Sequence, residues 1–281
     1  MTATAHPQLS GRVNAIEEAA RIPPIARAEA RALAETELDR FLALVETLGP
    51  EDWARPTACT LWDVRQMLAH KAGSYAAFAS WREFRRQFGQ RPARGQLPED
   101  TINAVQVADR AYKAPDELMA ELRAVGRRAI ANQQRLPLAL RLLGLPHPAV
   151  GFLQLGYLLD IIYTRDTWMH RLDIARATGR GMVLTREHDG RLVALVVRDL
   201  ARSLAPKLGG KAVVFALTGP AGGAWRIGPE AAPSATIGMD TLDFNCLASG
   251  RFDAEAGRAR ASLEGDRALA ELALRESRVL Y

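Results

Sequence analysis

Segment 152–178 constrains the fold more than any other part of this chain. It contains no Pro, and its one Gly, Gly156, falls in the first turn. Drawn as a helix, it is apolar on most sides: Leu155, Leu158, Ile161, Ile162, Trp168, Met169, Leu172 and Ile174. A helix of that kind is buried. Residues three and four apart share a face, and one face reads Leu159, Tyr163, Asp166, His170, Asp173, Ala177. A polar ladder on a buried helix points into the protein, where each group needs a partner. Gly179 follows as a natural C-terminal stop.

Other helices lead up to this one. In 25–48, Ala28, Ala32, Leu38, Phe41, Leu42, Val45 and Leu48 recur at helical spacing before Gly49-Pro50 ends the run. Thr60, with Asp63 three residues on, reads as the cap of a second helix extending to Phe88. A Gly- and Pro-bearing break at 89–98 separates it from helical pieces at 100–112 and 115–134, and an apolar connection spans 136–151. Four main helices and no strand pattern make 25–180 a helical bundle. Residues 1–24 read as a tail or loose first turn. The pattern changes after Gly181. A helix is expected over 186–208, strands over 211–217, 224–227 and 234–237, and helices over 242–247 and 267–274. Residues 181–281 thus read as a smaller mixed α+β domain. At about 150 residues per domain, a chain of this length accommodates two.

Several function classes drop out. With 48% hydrophobic and 25% charged residues, the chain is not a disordered one. No apolar run approaches the roughly 18 residues of a membrane helix. The first fifteen residues are polar and lack an apolar signal core, so a cytoplasmic setting is expected. Cys59 and Cys246 make neither a disulfide framework nor a CxxC knuckle, in keeping with a reducing compartment. The net charge is +5, but acids and bases are interleaved, which argues against nucleic acid. Arg82, Arg85, Arg86, Arg91 and Arg94 form the densest basic cluster, either a solvated helix end or a surface facing an anion. No GxSxG, GxxxxGK[ST] or GxGxxG motif occurs, and the glycines at 219–223 read as a hairpin turn. Cys59, just before a helix, reads as a small buried thiol.

The histidines carry the chemistry. His6, His147 and His188 read as surface residues. Asp166 and His170 stand one helical turn apart and can meet at one metal ion, as the two histidines of HExxH do; a plain Asp–His ion pair is the other reading. His70 lies off the apolar stripe of Leu61, Val64, Leu68, Ala72, Tyr75 and Ala79, near Gly73, Ala77, Trp81 and Phe84. It is therefore enclosed, with room beside it. One His on one helix and an Asp–His pair on another match the interior metal sites of helical bundles. Three protein ligands would leave a coordination position open. A core histidine bonded to a carbonyl is the alternative for His70.

At these residues a family becomes recognisable. Trp53, the run Pro56-Thr57-Ala58-Cys59-Thr60-Leu61-Trp62-Asp63-Val64, and then His70 resemble the first metal-binding signature of the mycothiol-dependent maleylpyruvate isomerase family. Arg165-Asp166-Thr167-Trp168-Met169-His170-Arg171-Leu172-Asp173-Ile174-Ala175 resembles its second signature. Segment 211–274, with Asp243-Phe244, Ser249-Gly250-Arg251 and Gly265-Asp266, resembles the family's sterol-carrier-like C-terminal domain. The resemblance implies a DinB-like four-helix bundle over 25–180, followed by a smaller sterol-carrier-like mixed domain over 181–281. It implies that His70, Asp166 and His170 bind a divalent metal, zinc first among the candidates, with Asp173 as a partner standing behind a ligand. Isomerase members tend to place Glu where Asp166 stands, one methylene longer.

The resemblance also implies an enzyme that pairs the metal with a low-molecular-weight thiol, mycothiol. Such an enzyme isomerises a small electrophile or adds the thiol to it. A mycothiol S-transferase for detoxification and a metal-assisted hydrolase are alternatives on the same site. A non-catalytic protein whose mixed domain holds an apolar ligand is an alternative of another class. Expected partners are the electrophile and the thiol, with no nucleic acid and no membrane, in a monomer or homodimer.

Overall fold

The computed structural model describes residues 15–147 and 151–281. The chain divides into two compact units. The first is Ile25–Val183 with Leu280–Tyr281, and the second is Leu184–Val279 with the segment ending at Pro24. A two-residue strand of the second unit, β1 (Glu17–Glu18), comes first in the described chain.

The first unit is helical. It contains α1 (Arg27–Val45), α2 (Val64–Ala79), α3 (Trp81–Phe88), α4 (Pro98–Ala108), α5 (Pro115–Arg135) and the short α6 (Leu138–Arg141). A hairpin follows, β2 (Gly144–His147) antiparallel to β3 (Gly151–Gln154). Then α7 (Leu155–Tyr157) runs through a π turn, Leu158–Ile162, into α8 (Tyr163–Thr178). Helices α1, α2, α5 and α8 form the expected four-helix bundle around Leu38, Phe41, Met67, Leu68, Leu118, Leu122, Ile130 and Ile174.

Local chemistry sets the helix ends. Asp63, not Thr60, caps α2. Its Oδ1 accepts from the Gln66 N–H at 2.7 Å, and Gln66 Oε1 accepts from the Asp63 N–H at 3.0 Å. The helix expected to reach Phe88 breaks at Ser80, which is extended (φ −144, ψ 126). Gln87 then donates to the Gly73 carbonyl at 3.0 Å and folds α3 back on α2. Gly73 also admits α4: a Cβ there would lie 2.7 Å from Gln106 Cβ. Gly179 ends α8 at φ +69, the left-handed conformation a glycine supplies freely.

The last long helix begins later than its apolar pattern suggested. Phe152 pairs across the hairpin with Pro146, inside what reads in sequence as a connection and a helix start. Short apolar runs do not distinguish strand from buried helix by period alone. The π turn shifts the register upstream of Tyr163, so the polar face is continuous only from Tyr163 onward.

A buried ion pair ties α8 to α1. Arg171 Nε and Nη2 donate to Glu37 Oε1 and Oε2 at 2.7 and 3.0 Å. Both side chains are essentially inaccessible, and Arg171 Nη1 also donates to the Val183 carbonyl at 2.9 Å. Two parallel bonds fix the rotation of α8 as well as its position.

The second unit is a mixed α/β layer. Its sheet runs β1-β5-β4-β6-β7, with β4 (Val213–Thr218), β5 (Gly223–Ile227), β6 (Ala235–Asp240) and β7 (Ser262–Gly265). β4 is parallel to β6 and antiparallel to β5. Its helices are α9 (Arg191–Leu204), α10 (Thr241–Ala248), α11 (Ala254–Ala259) and α12 (Arg267–Arg275). Val213, Phe215, Ile237, Phe244 and Leu247 are buried. β4, β5 and β6 lie where strands are expected. β1, α11 and β7 were not anticipated, because two to six residues are too few to carry a period. Among the described residues no helix is long and apolar enough to cross a membrane.

The Glu37–Arg171 pair gives a test. Glu37→Ala strands a buried guanidinium and should lower unfolding free energy by about 3–5 kcal/mol. Glu37→Leu combined with Arg171→Met should lose clearly less, measured by chemical denaturation. An equal or larger loss in the double variant would show that the pair acts through packing and not charge.

Candidate metal centre

Two helices build the site. α2 presents His70 and Lys71, and α8 presents Asp166, His170 and Asp173. One ligand atom from each of His70, Asp166 and His170 lies within 4.8 Å of the others. His170 Nε2 is 3.1 Å from Asp166 Oδ1, and His70 Nε2 is 3.6 Å from Asp166 Oδ2. The two imidazole centroids are 5.1 Å apart, with ring planes at 81°. The structure therefore brings together all three residues singled out as ligands.

Each group has a distinct environment. His70 is 4% exposed, and both its ring nitrogens are buried without a hydrogen-bond partner. Burial lowers its pKa to about 4, although the neighbouring Asp166 pulls the other way. At neutral pH it is therefore an uncharged imidazole with a lone pair to give. His170 Nδ1 lies 3.2 Å from Asp173 Oδ2, which leaves Nε2 to face Asp166. Burial works against its charge, but Asp166 and Asp173 outweigh burial and raise its pKa above the ordinary value. Burial likewise pushes Asp166 up, yet Lys71 and His170 outweigh it and hold the carboxyl well below the usual range. Asp166 keeps 27% of its side-chain surface open and is the accessible member of the trio.

The donor set fits a divalent ion. Zinc bonds of about 2.0–2.1 Å in a tetrahedral arrangement place neighbouring ligand atoms about 3.3–3.4 Å apart. His170 Nε2 at 3.1 Å from Oδ1 and His70 Nε2 at 3.6 Å from Oδ2 approach that spacing on the two oxygens of one carboxylate, and one donor atom of each residue lies within 4.8 Å of the others. Buried nitrogens without partners need explaining, and one of the two on His70, Nε2, lies 3.6 Å from Asp166 Oδ2. Asp173 stands behind His170 as carboxylates stand behind metal-bound histidines.

Four neighbours had no site role in the sequence reading. Trp62 stacks on His70 with centroids 4.7 Å apart and planes at 23°. Lys71 Nζ donates to Asp166 Oδ2 at 2.6 Å and is wholly buried. Tyr75 Oη and Thr167 Oγ1 lie 3.3 Å apart between the same two helices. Lys71 was detectable: Val64, Leu68, Lys71 and Tyr75 follow one another at helical spacing, so a lysine sits on the buried stripe of α2.

The remaining expectations divide. His147 is half-buried and paired with Glu99 at 3.1 Å, and His188 is buried, so neither is the exposed residue expected. His6 lies outside the described residues. Arg82, Arg85, Arg91 and Arg94 are exposed, whereas Arg86 pairs with Glu83 and Asp109. Cys59 is half-buried, not the buried thiol expected, Cys246 is buried, and the two are not joined in a disulfide.

Comparison with known proteins adds an independent line. The family model of the mycothiol maleylpyruvate isomerase N-terminal domain matches residues 34–175. The crystal structure of a histidine-to-alanine mutant of the mycothiol-dependent maleylpyruvate isomerase superposes with a TM-score of 0.55 at 13% identity, covering 85% of this chain and 93% of that one. The structure of the same enzyme without that mutation gives 0.53 at 14% identity, covering 81% and 90%. At these identities the likeness speaks for the fold. A search of curated proteins gave no match.

The charge balance predicts the behaviour of the metal-free chain. Asp166→Asn leaves the Lys71 ammonium without its counter-charge and should cost about 3 kcal/mol at neutral pH. A depressed carboxylate contributes fully above its ordinary pKa, and the contribution is lost as pH falls through the folded value. The gap between wild type and variant should therefore close only in strong acid, in thermal melts of chelator-treated protein. A gap that is absent at pH 7 would contradict the assignment.

Proposed function

The chain belongs to the mycothiol maleylpyruvate isomerase N-terminal domain family, whose model covers half of it, and from that membership we propose a metal- and thiol-dependent enzyme of the maleylpyruvate isomerase type. The observation carrying this reading is the convergence of His70, Asp166 and His170, with the buried ring nitrogens of His70 left without a hydrogen-bond partner. These three residues would hold a divalent ion, zinc by preference. Such an ion supplies a Lewis acid that lowers the pKa of a coordinated thiol to give thiolate near neutrality.

The chain's own residues have defined parts in this. His70 stays neutral, so its lone pair needs no deprotonation. Asp173 accepts from His170 Nδ1 and so presents Nε2 toward the centre. Trp62 covers one face of His70 and keeps water from it. Asp166, the open member, marks the side from which thiol and substrate approach.

The chemistry proposed is conjugate addition. The thiolate of mycothiol adds to an electrophilic carbon of a conjugated double bond, and the electron pair moves onto the activating carbonyl. The former double bond becomes a single bond and rotates. The enolate's electron pair then returns, re-forms the double bond in the other geometry and expels the sulfur as thiolate, ready for the next cycle. Where the adduct is instead protonated and released, the same site performs S-transfer. The bundle of residues 25–180 is the proposed catalytic domain, residues 181–281 a sterol-carrier-like companion, and the cytoplasm the proposed setting.

Metal analysis is the direct test. Purified protein should hold about one equivalent of divalent metal, and His170→Ala should hold far less. Equal metal content in the two would end the proposal. With several electrophiles, total thiol should stay constant as product forms if the enzyme isomerises, and fall in step with product if it transfers.

A further inference from the structure

The helix that presents His70 also presents Lys71, and Lys71 is the less expected of the two. Its side chain is 0% exposed, and Nζ lies 2.6 Å from Asp166 Oδ2. The Tyr75 ring is 5.4 Å away, over which the ammonium gains a weaker attraction. Taking an ammonium out of water costs several kcal/mol, and only a close counter-charge offsets it. Packing does not call for a lysine here, because the flanking positions of the stripe are the buried Leu68 and Tyr75. The charge is what distinguishes the residue.

The placement also divides the carboxylate. Oδ2 is taken by Lys71, while Oδ1 faces His170 Nε2 at 3.1 Å. Asp166 sits on α8 with a side chain of only two torsions, and the ammonium from α2 holds it at the centre.

On the reading that His70, Asp166 and His170 bind a metal, we infer that Lys71 is a resident counter-cation for Asp166: it keeps the site assembled without metal and weakens the metal's hold once bound. Without metal, the ammonium and the carboxylate neutralise each other. A divalent ion entering the same space meets a carboxylate already compensated and a positive charge close by. The loaded site then carries one more positive charge than its three ligands alone would give. That favours an anionic sulfur ligand and an exchangeable metal. Lys71 acts through Asp166 and is a positioning residue, not a catalytic one.

The test compares wild type with Lys71→Met and Lys71→Gln. Met keeps the length of the stem, and Gln keeps an N–H donor for Oδ2 while removing the charge. Chelator-treated proteins are titrated with zinc against a chromophoric competitor, and their melting temperatures are read without and with zinc. Both variants should bind zinc about tenfold tighter or more. Their metal-free melting temperatures should fall by several degrees, and zinc should restore most of that loss. If Met folds poorly without metal, recovery on adding zinc supports the inference and the Gln variant supplies the affinity. Zinc affinities equal to or weaker than wild type in both variants would overturn the counter-cation role while leaving the metal site intact. A wild type that binds no zinc would instead remove the metal site itself.

Discussion

Buried charge on α8 governs this structure. Within nine residues that helix places Arg165, Asp166, His170, Arg171 and Asp173, of which only Asp166 keeps an appreciable part of its side chain, 27%, in solvent. None can stay there without a partner. Glu37 answers Arg171 from α1, and His70 and Lys71 meet Asp166 from α2. Asp173 answers His170 from the same helix, and Arg165 Nη1 donates to the Leu280 carbonyl at 2.8 Å. Because these partners come from different elements, α8 has one rotation that satisfies all of them. That rotation brings two imidazoles and a carboxylate to a common point. The metal-like geometry follows from satisfying the helix's charges.

Much of this was legible in the sequence. The face carrying Tyr163, Asp166, His170 and Asp173 was readable because helical period and burial are written in the same residues. The four helices of the bundle and the strands β4 to β6 were readable for the same reason. The pairing of His70 with Asp166 across 96 positions was not written in any period. It came from the type of residue, and from the family signatures. What escaped was short or local. The hairpin of β2 and β3 spans four residues a side, too few to separate strand from helix. The π turn at Leu158–Ile162 changes register without any Pro or Gly to signal it. The break at Ser80 depends on Gln87 reaching back to Gly73, a contact no local pattern encodes.

Lys71 escaped for a different reason. It follows His70 directly, and a single lysine in a helix is normally a solvated one. Only its place between Leu68 and Tyr75 on the buried stripe marks it. The same arrangement separates the three candidate ligands. His70 offers a neutral nitrogen, His170 a nitrogen oriented from behind by Asp173, and Asp166 a charge shared with a neighbouring ammonium. The short Asp166 is met by Lys71 from the facing helix.

Anomalous diffraction at the zinc absorption edge, from crystals of the protein grown without chelator, tests the central claim most directly. The account predicts one strong peak about 2.0–2.2 Å from a nitrogen of His70, a nitrogen of His170 and an oxygen of Asp166. The same three side chains in place around density that shows no anomalous signal, even after zinc is supplied, would contradict it.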